Sequence, residues 1–134
     1  MGAGKRWQTI KKIKLKVLPY KLSISKIKPC EPIPTRLYKC DFFSITKTPD
    51  EISMVHTEIN TDQLKDQNRN WRAIKIIGPL DFSEIGIIAS LTKTLADNKI
   101  SVFVISTYNT DYILLKEDTL SNAIDALKEN YHIH

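Results

Sequence analysis

The amino-acid sequence predicts a ferredoxin-like α/β sandwich, in which two helices cover one face of a four-stranded antiparallel sheet. The second half of the chain alternates between short β-branched runs and longer amphipathic segments. The order of these segments is strand, helix, strand, strand, helix, strand, and right-handed crossovers bring both helices to the same face. With 42% hydrophobic and 26% charged residues, the composition is that of an ordinary globular protein.

The individual elements of this βαββαβ unit can be placed along the chain. The stretch "WRAIKIIGPL" predicts a strand that Gly78 and Pro79 stop, and "SVFVIST" and "DYILLKE" predict two further strands. The first helix is predicted over "SEIGIIASLTKTLADNKI", with Ser83 as its N-terminal cap. The second is predicted over "EDTLSNAIDALKENY", with Asp118 as its cap, and "YHIH" predicts a last short strand.

The first half of the chain predicts short strands and turns. In "KKIKLKVL" the lysines alternate with apolar residues, which is typical of a strand whose lysines are solvated at the edge of a sheet. The proline-rich "KPCEPIPTRL" predicts a loop with one short helical turn near Thr35, and "CDFFSITKT" and "ISMVHTEI" around "TPDE" predict a β-hairpin. The predicted division is a β-rich unit over 1–60, a polar connection over 61–70 and the α/β unit over 71–134.

The composition argues against a membrane protein and against an enzyme. No apolar run approaches the roughly 18 residues of a membrane span, and the N-terminus does not have the pattern of a secretory signal. Two cysteines are too few for a disulfide framework, and reduced thiols favour a cytoplasmic protein. Cys30 and Cys40 have no metal-ligand spacing, and the three histidines form no catalytic grouping with a serine or cysteine. We therefore expect no cofactor and no catalysis. An acylphosphatase-like hydrolase is disfavoured, because this sequence has no Arg–Asn pair in a matching glycine-bounded loop.

The charge distribution leaves nucleic-acid binding as an alternative. The formal net charge is +5, and every charged residue from Met1 to Lys28 is basic. Ferredoxin-like folds that bind RNA stack bases on aromatic residues of the central strands. Here "DYILLKE" lacks the Lys/Arg-Gly-aromatic motif and contributes Tyr112, with Phe103 on the neighbouring strand. Two rings do not form a stacking platform, so we do not expect a nucleic-acid partner.

Two polar stretches could form a small-molecule site. "GPLDFSEIG" leads into a helix N-terminus, whose free backbone N–H groups suit a carboxylate. "STYNTD" brings hydroxyls, an amide and one carboxylate to the end of the central hairpin. Donors for a carboxylate and an anion for an ammonium are what a free amino acid requires. The other interpretation is a tight turn that Asn109 and Asp111 shape.

The segment from Trp71 to Leu127 resembles the ACT domain, in the branch shared with CASTOR-type arginine sensors and small bacterial ACT proteins. The likeness rests on "GPLDFS", on the glycine that opens the first helix and on "ISVFVISTYNTDYILLKE", in that order. "KLKVLP" and "FFSITKTPDEISMV" resemble a second, abbreviated ACT-like unit whose strands extend or flank the sheet. Ser83, Ile85 and Gly86 replace the common Asp-x-Pro-Gly signature, so only the glycine matches. The aspartokinase regulatory domains are more distant relatives.

The resemblance implies a non-enzymatic regulatory protein that binds an amino acid or another small metabolite at an ACT–ACT interface, and that forms a homodimer. By position, the ligand would lie between the helix-start loop and the facing hairpin turn. These residues are Asp81, Phe82, Ser83, Glu84, Ile85, Gly86, Ile87, Thr107, Tyr108, Asn109, Thr110 and Asp111. Asp111 would hold the ligand ammonium, with Asp81 as the competing anion, and the backbone from Ser83 to Ile87 would hold its carboxylate.

Overall fold

The computed structural model describes residues 13–58, 64–77 and 86–134. The strands are β1 (Lys14–Val17), β2 (Leu22–Ile27), β3 (Phe43–Lys47), β4 (Ile52–Thr57), β5 (Asp66–Ile76), β6 (Phe103–Ser106), β7 (Asp111–Lys116) and β8 (His132–Ile133). The helices are α1 (Ile87–Asp97) and α2 (Leu120–Leu127), with 3₁₀ helices at Thr35–Lys39 and Glu117–Thr119.

The chain divides into two compact units. The larger unit comprises Met1–Pro19 and Arg72–His134, and the smaller unit comprises Tyr20–Trp71. Strand β5 runs through the boundary between them, so each unit contains part of it. The predicted division of the sequence into 1–60, 61–70 and 71–134 stays a prediction. Within the predicted connection, Asp66–Asn70 form the first part of β5 rather than a loop.

The larger unit has the predicted ferredoxin-like order of elements. The second part of β5 is followed by α1, β6, β7, α2 and β8, and the strands lie in the order β6-β7-β5-β1-β8. Strand β1 is inserted between β5 and β8, antiparallel to the first and parallel to the second. The sequence did not predict this insertion, because pairing between segments far apart in the chain leaves no local pattern.

Strand β1 is therefore an inner strand, and the prediction that it lies at the edge of a sheet is wrong. On one side the Ile77 N–H donates to the Lys14 carbonyl at 2.9 Å. On the other side the His134 N–H donates to the Leu15 carbonyl at 2.8 Å. Lys14 and Lys16 are exposed as predicted, but their side chains project from a strand whose two edges are both paired.

The core of the larger unit lies between the sheet and both helices. One face of the sheet and the inner stripe of each helix supply the buried residues Leu15, Ile74, Ile76, Ile113 and Leu115 from the strands, Ile87, Leu91 and Leu95 from α1, and Ala123 and Leu127 from α2. The α1 residues recur every fourth position, as an amphipathic helix requires. Each fully buried Leu or Ile stabilises the fold by about 1.5–3 kcal/mol.

The two helices begin differently from the prediction. The described part of α1 starts at Ile87 with Gly86 at the N-cap, and the predicted cap Ser83 lies outside the described residues. Asp118 does not cap α2, because it lies inside the 3₁₀ helix that precedes α2. Thr119 stands at that N-cap, and its hydroxyl donates instead to the Lys116 carbonyl at 2.7 Å.

The smaller unit is an abbreviated version of the same architecture. Its strands lie in the order β3-β4-β2-β5, which is the ferredoxin-like order for four strands. The predicted β3–β4 hairpin and the predicted helical turn near Thr35 are both confirmed. Leu37 of this 3₁₀ helix packs against Ile52, Met54 and Leu64. Among the described residues of this unit, one short 3₁₀ helix thus lies between β2 and β3, where a complete unit has a full α-helix.

The smaller unit also buries a histidine. His56 is fully buried, with Nδ1 at 3.0 Å from the Thr57 carbonyl oxygen and Nε2 at 2.7 Å from Ser25 Oγ. A carbonyl only accepts, so these partners assign the proton to Nδ1 and let neutral Nε2 accept from the Ser25 hydroxyl. Desolvation by burial lowers the pKa of His56 below 6.5, and the positive charge of Arg69 lowers that pKa further.

The buried His56 predicts that acid weakens the fold. In the unfolded chain His56 takes up a proton near pH 6.5, whereas in the folded protein it does so only at lower pH. The unfolded state therefore binds more protons below pH 6.5, and the free energy of unfolding falls as the pH drops through that window. Urea unfolding between about pH 7.5 and 5.5 measures this slope.

The matched variants for this measurement are His56→Gln and His132→Gln. The first should flatten the pH slope, since no imidazole remains to be protonated in the unfolded chain at this position. The second alters an exposed histidine and should keep the wild-type slope. Identical slopes in wild type and His56→Gln would rule out His56 as the cause.

Candidate functional site

The polar stretch that follows β6 forms the turn of the β6–β7 hairpin. Ser106 and Asp111 are the last paired residues, and 107–110 connect them. The Thr107 N–H and hydroxyl both donate to the Thr110 carbonyl, at 2.8 and 2.9 Å. The Thr110 N–H donates back to the Thr107 hydroxyl at 3.3 Å. The two threonines therefore hold the turn closed.

Thr110 also fixes this turn to the end of β5. The residue is only 5% exposed, and its hydroxyl donates to the Ile76 carbonyl at 2.6 Å. Ile76 is the last residue of β5, and the chain continues from there towards α1. The hydrogen bond thus holds the hairpin turn to the end of β5.

The start of α1 can accept an anion. Gly86 has φ +100°, and a Cβ atom there would meet nothing within 4 Å, so backbone conformation rather than space favours glycine. Gly86 has no side chain with which to cap the helix, and the first turn of α1 contains no acidic residue. The first N–H groups of any helix lack intrahelical acceptors, and they attract negative charge.

Asp111 supplies an available carboxylate near this end of the sheet. It is half-buried, and the alternation along β7 places it on the same face as Ile113 and Leu115, which the helices cover. Among the described residues, none forms a hydrogen bond or an ion pair with the Asp111 carboxylate. A half-buried anion without a partner can bind a cationic group of a ligand.

The structure places the predicted site residues in three groups. Asp81, Phe82, Ser83, Glu84 and Ile85 lie outside the described residues. Gly86 and Ile87 open α1, where the Ile87 side chain belongs to the core and only its backbone could meet a ligand.

The remaining predicted residues form the hairpin turn. Tyr108 and Asn109 are exposed at its tip, and Thr107 is exposed beside them. The Thr110 hydroxyl is already bonded to Ile76, so its role in the structure is to position the turn. No pattern in the sequence signalled the Thr110–Ile76 contact, since it joins distant segments. Ligand binding by this set stays a prediction.

The described ranges show neither a membrane helix nor a metal cluster. No helix there is long and apolar enough to cross a bilayer. No three His, Cys, Asp or Glu side chains of those ranges group so as to hold a metal ion. Cys30 is exposed, Cys40 is half-buried, and both are free thiols.

Comparison with known proteins identifies the family. The model for the ACT domain matches residues 67–129, and a second model, for an N-terminal domain, matches residues 21–61. The human protein CASTOR3P is 31% identical over 98% of this chain and 92% of its own length. The chain belongs to the ACT-domain family, in its CASTOR-like branch. This confirms the resemblance to the CASTOR-like branch that the sequence indicated.

Other relatives extend the comparison. The bovine cytosolic arginine sensor for mTORC1 subunit 1 is 29% identical over 74% of the ACT protein, which spans only 33% of that sensor. A crystal structure from Agrobacterium tumefaciens is 31% identical, with a TM-score of 0.80 and 92% coverage of both chains. The aspartate kinase of Clostridium acetobutylicum has a TM-score of 0.63 at 9% identity, covering 87% of this chain and 34% of the kinase, and it confirms the fold alone.

Thr110→Val tests the role of the turn. The variant keeps the shape of the side chain but leaves the Ile76 carbonyl without this donor, which should lower the free energy of unfolding by about 1–2 kcal/mol. Thr110→Ser keeps the hydroxyl, so its free energy of unfolding should fall by less. Asn109→Ala changes an exposed residue of the same turn and serves as control. Urea unfolding that gives Thr110→Val the stability of Asn109→Ala would contradict a structural role for Thr110.

Proposed function

We propose that this ACT protein is a non-enzymatic, cytoplasmic regulatory protein that senses a free amino acid. Its family and the arginine-sensor name of its bovine relative support amino-acid sensing, and the word cytosolic in that name supports the location. The observation that carries the proposal is the Asp111 carboxylate, which has no partner among the described residues and lies on the helix-covered face of the sheet, at the hairpin turn held to the end of β5.

The proposed site uses the two charges of an amino acid. The ligand carboxylate accepts hydrogen bonds from backbone N–H groups within Ser83 to Ile87, of which Gly86 and Ile87 are at the described start of α1, and the ligand ammonium pairs with Asp111. Thr107 and Asn109 are exposed beside the turn and contribute polar groups to the wall of the site. Asp81 remains the competing partner for the ammonium.

A thermal-shift screen of free amino acids tests this function. A ligand present at 100 times its Kd stabilises the folded state by about 2.7 kcal/mol, which is measurable in a domain of this size. The amino acid that shifts the melting temperature should lose its effect when its amine is acetylated or its carboxylate is amidated. If no free amino acid shifts the melting temperature, or if both blocked forms act like the parent, the proposed site is wrong.

Asp111→Asn should weaken binding of that amino acid by roughly 30-fold or more. The estimate follows from about 2–5 kcal/mol for removing one partner of a desolvated charged pair, at tenfold per 1.4 kcal/mol. Calorimetric titration of wild type, Asp111→Asn and Asp81→Asn compares the two candidate anions. Asp118→Asn changes an exposed acid in the 3₁₀ helix and is the matched control. Unchanged affinity in Asp111→Asn would remove Asp111 from the site.

We also propose that the protein forms a two-fold homodimer through strand β6. Among the described strands β6 pairs with β7 alone. Sheet edges usually carry charges or prolines that block pairing, but Phe103–Ser106 contains neither. Val104 is 37% exposed there, and an antiparallel β6 of a second copy would cover it.

Val104→Lys should dissociate this dimer. Light scattering of the wild type should give twice the chain mass of 15.4 kDa, and the variant should give the chain mass with an unchanged circular dichroism spectrum. Ile45→Lys is the matched control, because Ile45 is also 37% exposed but lies on β3. A monomeric wild type at high micromolar concentration, or dissociation by Ile45→Lys alone, would exclude the β6 dimer.

A further inference from the structure

The larger unit carries a row of lysines on the face of its sheet opposite the helices. We call Lys14, Lys16 and Lys75, together with Tyr112, the lysine face. Lys16 and Lys75 are directly paired across β1 and β5, and Lys14 lies two positions before Lys16 on β1. The Lys75 Nζ lies 6.0 Å from the centroid of the Tyr112 ring, in a cation–π contact.

No acidic group neutralises these charges within the described part of the chain. None of the three lysines forms an ion pair there, and Asp111, the acid of the described strands in this unit, lies on the opposite face. The helices behave differently, because Lys93 pairs with Asp97 at 2.7 Å and Lys128 pairs with Asp125 at 3.2 Å. Among the described residues, the positive charges of Lys14, Lys16 and Lys75 thus have no acidic partner, unlike those of Lys93 and Lys128.

Among the described residues, Lys14 and Lys16 form no ion pair or cation–π contact that would offset the repulsion on this face, whereas Lys75 has its contact with Tyr112. Like charges directly opposite each other on neighbouring strands destabilise a sheet, as Lys16 and Lys75 do here. Lysines on an edge strand can repay such a cost by preventing aggregation. That explanation fails for Lys14 and Lys16, because both edges of β1 are paired. The charges therefore indicate a partner that neutralises them.

We propose that the lysine face docks an extended acidic segment of a partner protein. Side chains on one face of a strand repeat every two residues, about 6.6 Å apart. Lys14 and Lys16 have this spacing, and an extended peptide with Asp or Glu at alternate positions presents carboxylates at the same interval. Lys75, about 5 Å from Lys16 across the strands, reaches the same carboxylates from the side.

The same face is less suited to single-stranded nucleic acid. Such ligands bind by stacking their bases on exposed aromatic planes beside positive charge. Here the Lys75 ammonium already lies over the Tyr112 ring. Compact ammonium groups without a stacking surface match carboxylates, and this favours the peptide. The docking proposal does not depend on the proposed amino-acid site.

Fluorescence anisotropy with three labelled probes of similar charge tests the proposal. One peptide alternates glutamate with threonine, a second has the same composition with its glutamates in one block, and the third probe is an oligothymidylate. The alternating peptide should bind most tightly at low salt and weaken as salt is raised. Tighter binding of the block peptide would refute the spacing argument. Tighter binding of the oligothymidylate would make the face a nucleic-acid site, and no binding of any probe would refute docking.

Charge-reversal variants show whether binding depends on the position of the charges. Lys16→Glu/Lys75→Glu should weaken binding of the alternating peptide by at least about tenfold. Lys93→Glu/Lys128→Glu changes the net charge equally on the helices and should leave its affinity within about threefold. Equal loss in both double variants would mean that only net charge matters, and the docking surface would be wrong.

A single neutralisation separates a docking role from a structural one. Lys16→Gln removes the repulsion with Lys75, so it should raise the melting temperature while weakening the alternating peptide. A lysine that serves the fold would instead lower the melting temperature when replaced. That result would overturn the interpretation of the lysine face as a surface kept for a partner.

Discussion

The pairing of β1 between β5 and β8 is the constraint on which the larger unit depends. Leu15 enters the core only because this register turns it towards the helices, opposite Ile76. The two-residue strand β8 has no other strand partner among the described residues, so the end of the chain is held through β1. The same register turns Lys14 and Lys16 outward. One long-range pairing therefore determines both the core and the charged face.

Local sequence patterns predicted the helices and strands, whereas contacts between distant segments could not be predicted. Alternation and helical periodicity depend on neighbouring residues, so the α1 stripe of Leu91 and Leu95 and the β3–β4 hairpin could be predicted from the sequence. The insertion of β1 could not, because its pairing with β5 joins segments distant in the chain. The prediction of Asp118 as an N-cap was wrong for a local reason, because Asp118 lies in the 3₁₀ helix that precedes α2.

The position of the hairpin turn that carries part of the candidate site was predictable, but the roles of its residues were not. The sequence correctly placed the polar run 106–111 at a hairpin turn. It could not separate Thr110, whose hydroxyl is used inside the protein, from Asp111, whose carboxylate has no partner among the described residues. Both have polar side chains in a polar turn. Only the position of the Ile76 carbonyl distinguishes them, and that position depends on how β5 and β7 pair.

The hairpin gives a physical route from the proposed ligand to the proposed dimer. Asp111 pairs directly with Ser106, the last residue of the edge strand β6. A ligand that holds the Asp111 carboxylate restricts the turn, and the register carries that restriction to Ser106 and along β6. A second copy that pairs with β6 requires the same strand to be ordered. If both events order this one hairpin, linkage requires that each strengthens the other.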